Sequence, residues 1–456
     1  MNYKIVKKNI VTVFGANVLS LLVGIVNGFF VPAFLSVDNY SMLKTFTLYV
    51  SYVGVLHLGF LDGLYLKYGG KYLKSINKKE ALYEHNFLLK FQLIVSLIFF
   101  LIGILARNLI VSLVAISIVP INFLTYFNFI YQATGEMKLY ARIKVLNPIL
   151  VLILNLVLIF LIKKDNYILF VFSSISAYYL TYLIFEHKFL KLVETKEKQK
   201  VDVLPIFKTG IFIMLGNLFT MLFYSMDRWF VKFLLTTEDF AYYSFAISMM
   251  SIINLLISSV AMSLYPAFSR GYTSKTVKEI KKYLIIISSF SSLGFFIFSF
   301  IVNLWLKKYI YSLSVISILF AGLPAIAVIN ALYINLYKAN KQERKYFYTV
   351  IKMAIVSFIF NVLAVVLYKS NFAIAIATTV AFYVWFFYSS KDFEGLETNW
   401  KEIVYILLFV NGFLFSTLKL SLTFGFIFLS LWILMLIMIF FKKEFVRLLR
   451  LLTSRE

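Results

Sequence analysis

From residue 10 to residue 441 the chain is a succession of apolar runs separated by short polar connections. Most runs approach the roughly 20 helical residues that cross the hydrocarbon core of a bilayer. In hydrocarbon every backbone N–H and C=O must be satisfied internally, which leaves only helices or a closed barrel. Barrel strands alternate apolar and polar residues, and stretches such as 150–162 and 424–441 lack that alternation. The expected class is therefore all-α, a polytopic membrane protein. Composition agrees, with 61% hydrophobic and 14% charged residues, too little charge to cover the surface of a soluble chain this long.

Fourteen spans can be placed, at about 10–35, 40–66, 87–106, 109–131, 145–162, 167–185, 209–235, 240–266, 283–306, 311–335, 348–368, 371–388, 403–418 and 421–441. The positive-inside rule checks the count. On this reading one side takes the N-terminus, the even-numbered connections and the C-terminus. It collects Lys67, Lys71, Lys138, Arg142, Lys188, Lys196, Arg270, Lys278, Arg344, Lys345 and the basic tail. The other side holds little beyond Lys44, Arg107, Lys163, Lys164, Lys307, Lys308, Lys369 and Lys419. That asymmetry places both termini on the cytoplasmic side of the membrane. Lys4, Lys7 and Lys8 precede an apolar stretch with no cleavage site at signal-peptide distance, so the stretch reads as the first span. The net charge of +24 is then a topology signal and an attraction to anionic headgroups, and nucleic acid is not an expected partner. Cysteine is absent, and His57, His85 and His187 are scattered without metal-ligand spacing, so no cofactor or metal is expected.

The chain also repeats. Phe34–Gly70 contains a turn, Ser36-Val37-Asp38-Asn39-Tyr40, whose counterpart in Phe233–Arg270 is Thr236-Thr237-Glu238-Asp239-Phe240. After span four stands YQATGEMKLY from Tyr131, and after span ten YKANKQERKY from Tyr337, with Lys138 opposite Arg344. Two six-helix lobes in parallel orientation follow: 1–185, and 209–388 beyond a charged linker at 186–208, with 389–456 adding spans 13 and 14 and the tail. Such duplication implies alternating access and a substrate site near the bilayer midplane.

FLSVDNYSMLKTF followed by LGFLDGLYLKYGG, the later SMDRWFVKFLLTTEDFAYYSFA, and Met262-Ser263-Leu264-Tyr265-Pro266 resemble the Wzx-type polysaccharide or O-antigen flippases. These belong to the multidrug/oligosaccharidyl-lipid/polysaccharide superfamily, and the likeness covers spans 1–12 and the helix count. It implies passage of undecaprenyl-diphosphate-linked oligosaccharides from the cytoplasmic to the outer leaflet for O-antigen or capsule assembly. It also implies a cationic cavity for the diphosphate, a groove for the lipid tail, membrane lipids as neighbours and polysaccharide polymerases or assembly proteins as partners.

Ionisable residues deep in a span are costly unless they face a cavity or a partner. Span seven carries the densest set, Asn217, Tyr224, Asp227, Arg228 and Lys232. Positions 217, 221, 224, 228 and 232 recur at helical spacing and share one face. Arg228 and Lys232 are separated by about 6 Å along the axis, close enough to grip neighbouring diphosphate oxygens, with Arg supplying the bidentate fork. Asp-Arg here also matches the family pattern. The alternative is that Asp227 and Arg228 pair within the helix bundle while Lys232 snorkels outward. Lys44 either points into the cavity or reaches the outer headgroups. Asp62 is either a coupling site for a proton or cation, or a gate element bonded to Lys67 or nearby backbone. Asn122 and the other span asparagines read mainly as interhelical hydrogen bonds, with some meeting sugar hydroxyls.

Rival functions fit less well. An integral-membrane polymerase or glycosyltransferase needs paired carboxylates on a sizeable outer loop, and only Glu238-Asp239 occurs, in a tight turn. A drug/cation antiporter of the same superfamily calls for an acid deep in the first lobe, which span one lacks. A peptidoglycan-precursor flippase is suggested by arginines in the first span, and there are none.

Overall fold

The structure is a computed structural model that describes residues 3–193, 195, 197–269 and 271–453. Side chains at 3–11, 14, 259–260, 262–263, 265–267, 269, 449 and 451–453 are outside that description, as are Lys196, Arg270 and Arg455. The sequence features at Lys4, Lys7, Lys8 and in Met262–Pro266 therefore fall largely outside the described residues. Among the described residues every regular element is helical. Twelve helices are long and apolar enough to cross a membrane, and two bent helix pairs raise the number to 14. Each of the fourteen expected spans falls on one of these helices or bent pairs. They overrun their expected ends on the basic side, as in Lys78–Leu105 and Tyr167–Val193. The periodicity continues there after the hydropathy has fallen, so a hydropathy count stops short.

The exposed surface shows why the bilayer is the solvent. Leu93, Leu97 and Leu101, with Ile94, Ile98 and Ile102, form two exposed stripes along one helix. Apolar faces of this extent belong against lipid. The chain is a multi-pass membrane protein.

Two compact units divide at Leu218/Phe219. In the first, the turn between spans one and two is tied to the turn between spans five and six. Ser36 N donates to Asp165 Oδ1 at 3.0 Å, and Asn39 Nδ2 to the Asp165 carbonyl at 3.1 Å. Asn155 joins three spans, donating to Asn27 Oδ1 at 3.1 Å and accepting from Ser173 Oγ at 2.6 Å. The core is aromatic, built from Phe60, Phe123, Phe127, Tyr131, Phe185 and Phe189. Water drives little helix association inside lipid, so close packing and such interhelical bonds hold the spans.

The second unit repeats the turn-to-turn tie: Asn371 Nδ2 donates to Asp239 Oδ1 at 2.9 Å. Asp239 follows span seven as Asp38 and Asn39 follow span one, and Asn371 opens span twelve. Span 13 joins this unit through a buried ion pair, Lys281 Nζ to Glu402 Oε2 at 2.7 Å, and through Tyr405 Oη to Ser289 Oγ at 2.9 Å.

Both bent spans break for local reasons. In span two, Leu58 (φ 51°) and Gly59 (φ 83°) are left-handed, and the chain turns by 60° before Phe60–Tyr68. In span ten the bend is 51°, at Gly322 followed by Leu323-Pro324. Proline without an N–H cannot continue the preceding ladder but starts a helix well.

Candidate functional site

The break in span two creates a polar cluster that an unbroken helix cannot make. Five residues apart on a regular helix, His57 and Asp62 would point in different directions. Across the bend, His57 Nε2 comes within 3.8 Å of Asp62 Oδ2. His57 Nδ1 accepts from the Gly59 N–H at 3.1 Å, so the ring proton is assigned to Nε2, facing the carboxylate. Asn217 Nδ2 lies 3.5 Å from Asp62 Oδ1. Both His57 and Asp62 are buried.

Glycines permit this approach. Gly59 and Gly63 carry the small-xxx-small spacing that lets two helix backbones touch. An added Cβ at Gly63 falls 2.1 Å from the Ile206 carbonyl oxygen, and one at Gly210 falls 1.9 Å from that of Gly59. The start of helix Leu204–Leu234 thus rests backbone to backbone on the bend. Asp62 as a gate element has Lys67 or nearby backbone as its expected partner. Instead Lys67 Nζ bonds Glu84 Oε1 at 2.5 Å and Glu80 Oε2 at 2.8 Å, leaving His57 and Asn217 as the neighbours of Asp62.

Helix Leu204–Leu234 is continuous, so the face expected for Tyr224, Arg228 and Lys232 exists. Asp227 is buried and does not pair with its neighbour's guanidinium. Its Oδ2 accepts from Tyr243 Oη at 2.8 Å and its Oδ1 from the Arg228 backbone N–H at 2.7 Å. Arg228 makes no ion pair among the described residues, and its buried Nε has no hydrogen-bond partner. Tyr224 Oη donates to Asn330 Oδ1 at 2.5 Å. Asn330 sits in a π-helical turn, Ile329–Tyr333, a local widening frequent at functional positions. Lys232 Nζ lies over the Phe240 ring at 5.3 Å, facing the turn that follows its own span.

The remaining candidates separate. Lys44 is half-buried with Nζ 5.1 Å from the Tyr40 ring centre. Asn122 is fully buried, donating to Gln92 Oε1 at 2.6 Å and to the Val53 carbonyl at 3.4 Å. That geometry clamps helix Leu109–Ala133 to the 3₁₀ turn before the bend. Lys44, Asp62, Asn122 and Asn217 belong to the first unit, and Tyr224, Asp227, Arg228 and Lys232 to the second.

The expected spans leave His85 in the connection between spans two and three, and it is instead buried inside helix Lys78–Leu105, its Nε2 2.9 Å from Glu186 Oε2. At the same basic end of the first unit Tyr68 Oη donates to Glu84 at 2.5 Å. Glu84 is fully buried. The available signal was Glu80 and Glu84 one turn apart behind the Asn77 cap, which marks a helix starting before the apolar run.

Among curated proteins none matches this chain. Among solved structures, the lipid II flippase MurJ in an inward closed conformation aligns with a TM-score of 0.65 at 14% identity, covering 95% of this chain and 98% of that one. A multidrug resistance MATE family transporter of the MOP superfamily, outward-facing, aligns at 0.48 and 13% identity over 84% of this chain and 98% of that one. The MurJ alignment, at so low an identity, shows a shared fold. A sequence profile described as "Polysaccharide biosynthesis protein" matches residues 6–272. That match spans more than half of the sequence and bears out the resemblance read from the motifs: the chain belongs to the polysaccharide biosynthesis protein family.

Proposed function

We propose that this protein is a flippase that carries undecaprenyl-diphosphate-linked oligosaccharide units across the cytoplasmic membrane by alternating access, supplying surface polysaccharide assembly such as O-antigen or capsule. The observation that carries the reading is Arg228. A cation inside a span costs several kcal/mol unless compensated, and here the adjacent carboxylate is engaged by Tyr243. The guanidinium fork is left for an anion from outside the protein. Lys232, one turn along the same helix, and Lys44 are the further cations assigned to the diphosphate. Asp62, Asp227, Asn217, Tyr224 and Asn122 are assigned to the cavity, to gating or to coupling. The fold is shared with a protein described as a lipid II flippase, consistent with a lipid-borne substrate. The cytoplasmic placement of the basic ends, and a polymerase as downstream partner, belong to the same proposal.

The test is binding of undecaprenyl diphosphate, without sugar, to the purified chain. Arg228→Ala is expected to weaken binding about tenfold or more, the loss of one charge-assisted bidentate contact. Equal binding by wild type and a folded Arg228→Ala sinks the assignment. Binding of a lipophilic cation in place of the diphosphate points to an antiporter.

A further inference from the structure

The first unit holds a cavity of about 740 Å³ that the flippase reading leaves unused. The first span contributes Gly15 and Leu19, the fifth Lys138, Arg142 and Ile149, and the sixth Lys188. Its wall is mostly apolar, and the space beside Gly15 is empty: an added Cβ there meets nothing within 4 Å. Lys138 and Arg142 lie at the start of helix Met137–Val157 and Lys188 near the end of helix Tyr167–Val193, and among the described residues none of the three has a carboxylate partner.

Several lysines on the basic side are compensated within the chain. Lys67 is paired with Glu80 and Glu84, Lys79 with Glu197, Lys282 with Glu444 and Lys345 with Asp392. Lys138 and Arg142, by contrast, sit four apart on one helix, an arrangement that repels and costs helix stability. Lys188 Nζ, on the neighbouring helix, lies 4.8 Å from the centre of the buried Phe185 ring in the cavity wall. Three uncompensated cations over an apolar groove form a site with the headgroup charge and chain environment of an anionic lipid. At roughly 30 Å³ per water-sized group, the volume holds about 25 such groups, far more than a free phosphate fills. Basic pockets between spans are where anionic headgroups settle.

We propose that this groove holds an anionic phospholipid of the bilayer, its phosphate among Lys138, Arg142 and Lys188 and its acyl chains along Leu19 and Ile149. The site is distinct from the Arg228 face and does not depend on the flippase reading.

Native mass spectrometry of the full chain, titrated with phosphatidylglycerol and separately with phosphatidylcholine, tests it. Wild type is expected to retain phosphatidylglycerol preferentially. A variant carrying Lys138→Gln, Arg142→Gln and Lys188→Gln is expected to bind it about a hundredfold more weakly, from about fivefold per cation. Lys144→Gln, whose ammonium lies over Tyr140 at 4.9 Å, is expected to leave binding unchanged. Circular dichroism establishes that each variant is folded, and single replacements stand in if the triple variant is not. Equal retention of phosphatidylglycerol by wild type and triple variant overturns the proposal. So does displacement of phosphatidylglycerol by stoichiometric undecaprenyl diphosphate, which would make the groove part of the substrate path.

Discussion

Gly210→Ala tests the backbone contact on which the bend in span two depends. An alanine Cβ at this position would lie 1.9 Å from the Gly59 carbonyl oxygen and 2.5 Å from the Gly63 nitrogen. An ordinary C···O approach is about 3.3 Å, so helix Leu204–Leu234 must withdraw by about 1.4 Å at that point. A gap of even 0.5–1 Å forfeits about a quarter to a half of each dispersion contact it opens. Overpacking usually costs about 1–3 kcal/mol. Backbone on both sides cannot rotate away as a side chain could, which puts the expected loss near the top of that range, about 3 kcal/mol. The same withdrawal breaks the 3.5 Å approach of Asn217 to Asp62 two turns further on. The assay is thermal unfolding of the purified protein in one detergent at one scan rate, since large membrane proteins rarely unfold reversibly. Gly24→Ala is the control, because its new Cβ meets nothing within 4 Å. Alanine is the better helix former there by up to about 1 kcal/mol. Gly210→Ala is expected to melt several degrees below Gly24→Ala. If the two melt together, the helices are not in backbone contact and the polar cluster at the bend is misplaced.

Three further outcomes follow from the same geometry. Lys67→Met strands the fully buried Glu84 without its cation and should cost about 3 kcal/mol; adding Glu84→Gln should recover most of the melting temperature. Tyr243→Phe removes the hydroxyl donor to Asp227, at about 1–2 kcal/mol in stability. Because the freed carboxylate then competes for Arg228, it should also weaken undecaprenyl diphosphate binding, whereas unchanged binding would separate the two residues functionally. Burial pushes the Glu444 carboxyl up, but Lys282 Nζ at 2.6 Å outweighs that and leaves it below the usual value. Its stabilisation is therefore present above the unfolded value of about 4.3 and is lost as pH falls through the lower folded one. Acidification through that range should speed hydrogen exchange in helix Lys442–Thr453, and a flat profile would show that the pair holds nothing.

The fold was legible because its main determinant is one-dimensional. Apolar length sets each span, and that does not require knowing which helices touch. The duplication was legible in the same way, in the turns Ser36–Tyr40 and Thr236–Phe240, and both units show the corresponding turn-to-turn bond. Helix ends on the basic side were not, because Lys78–Phe87 is polar enough to read as a loop while remaining helical behind the Asn77 cap.

For the site, the sequence by itself determined that Tyr224, Arg228 and Lys232 share a helix face, since helical spacing requires only that the helix be unbroken. Only the tertiary structure decided that Asp227 turns to Tyr243 and leaves Arg228 without an ion pair among the described residues. It also decided that His57 meets Asp62 across a bend, and that Lys67 serves Glu80 and Glu84 in place of Asp62. Each of these choices depends on which backbones can approach, at glycines such as Gly59, Gly63 and Gly210. Close approach is a property of pairs of helices, and no single helix encodes it.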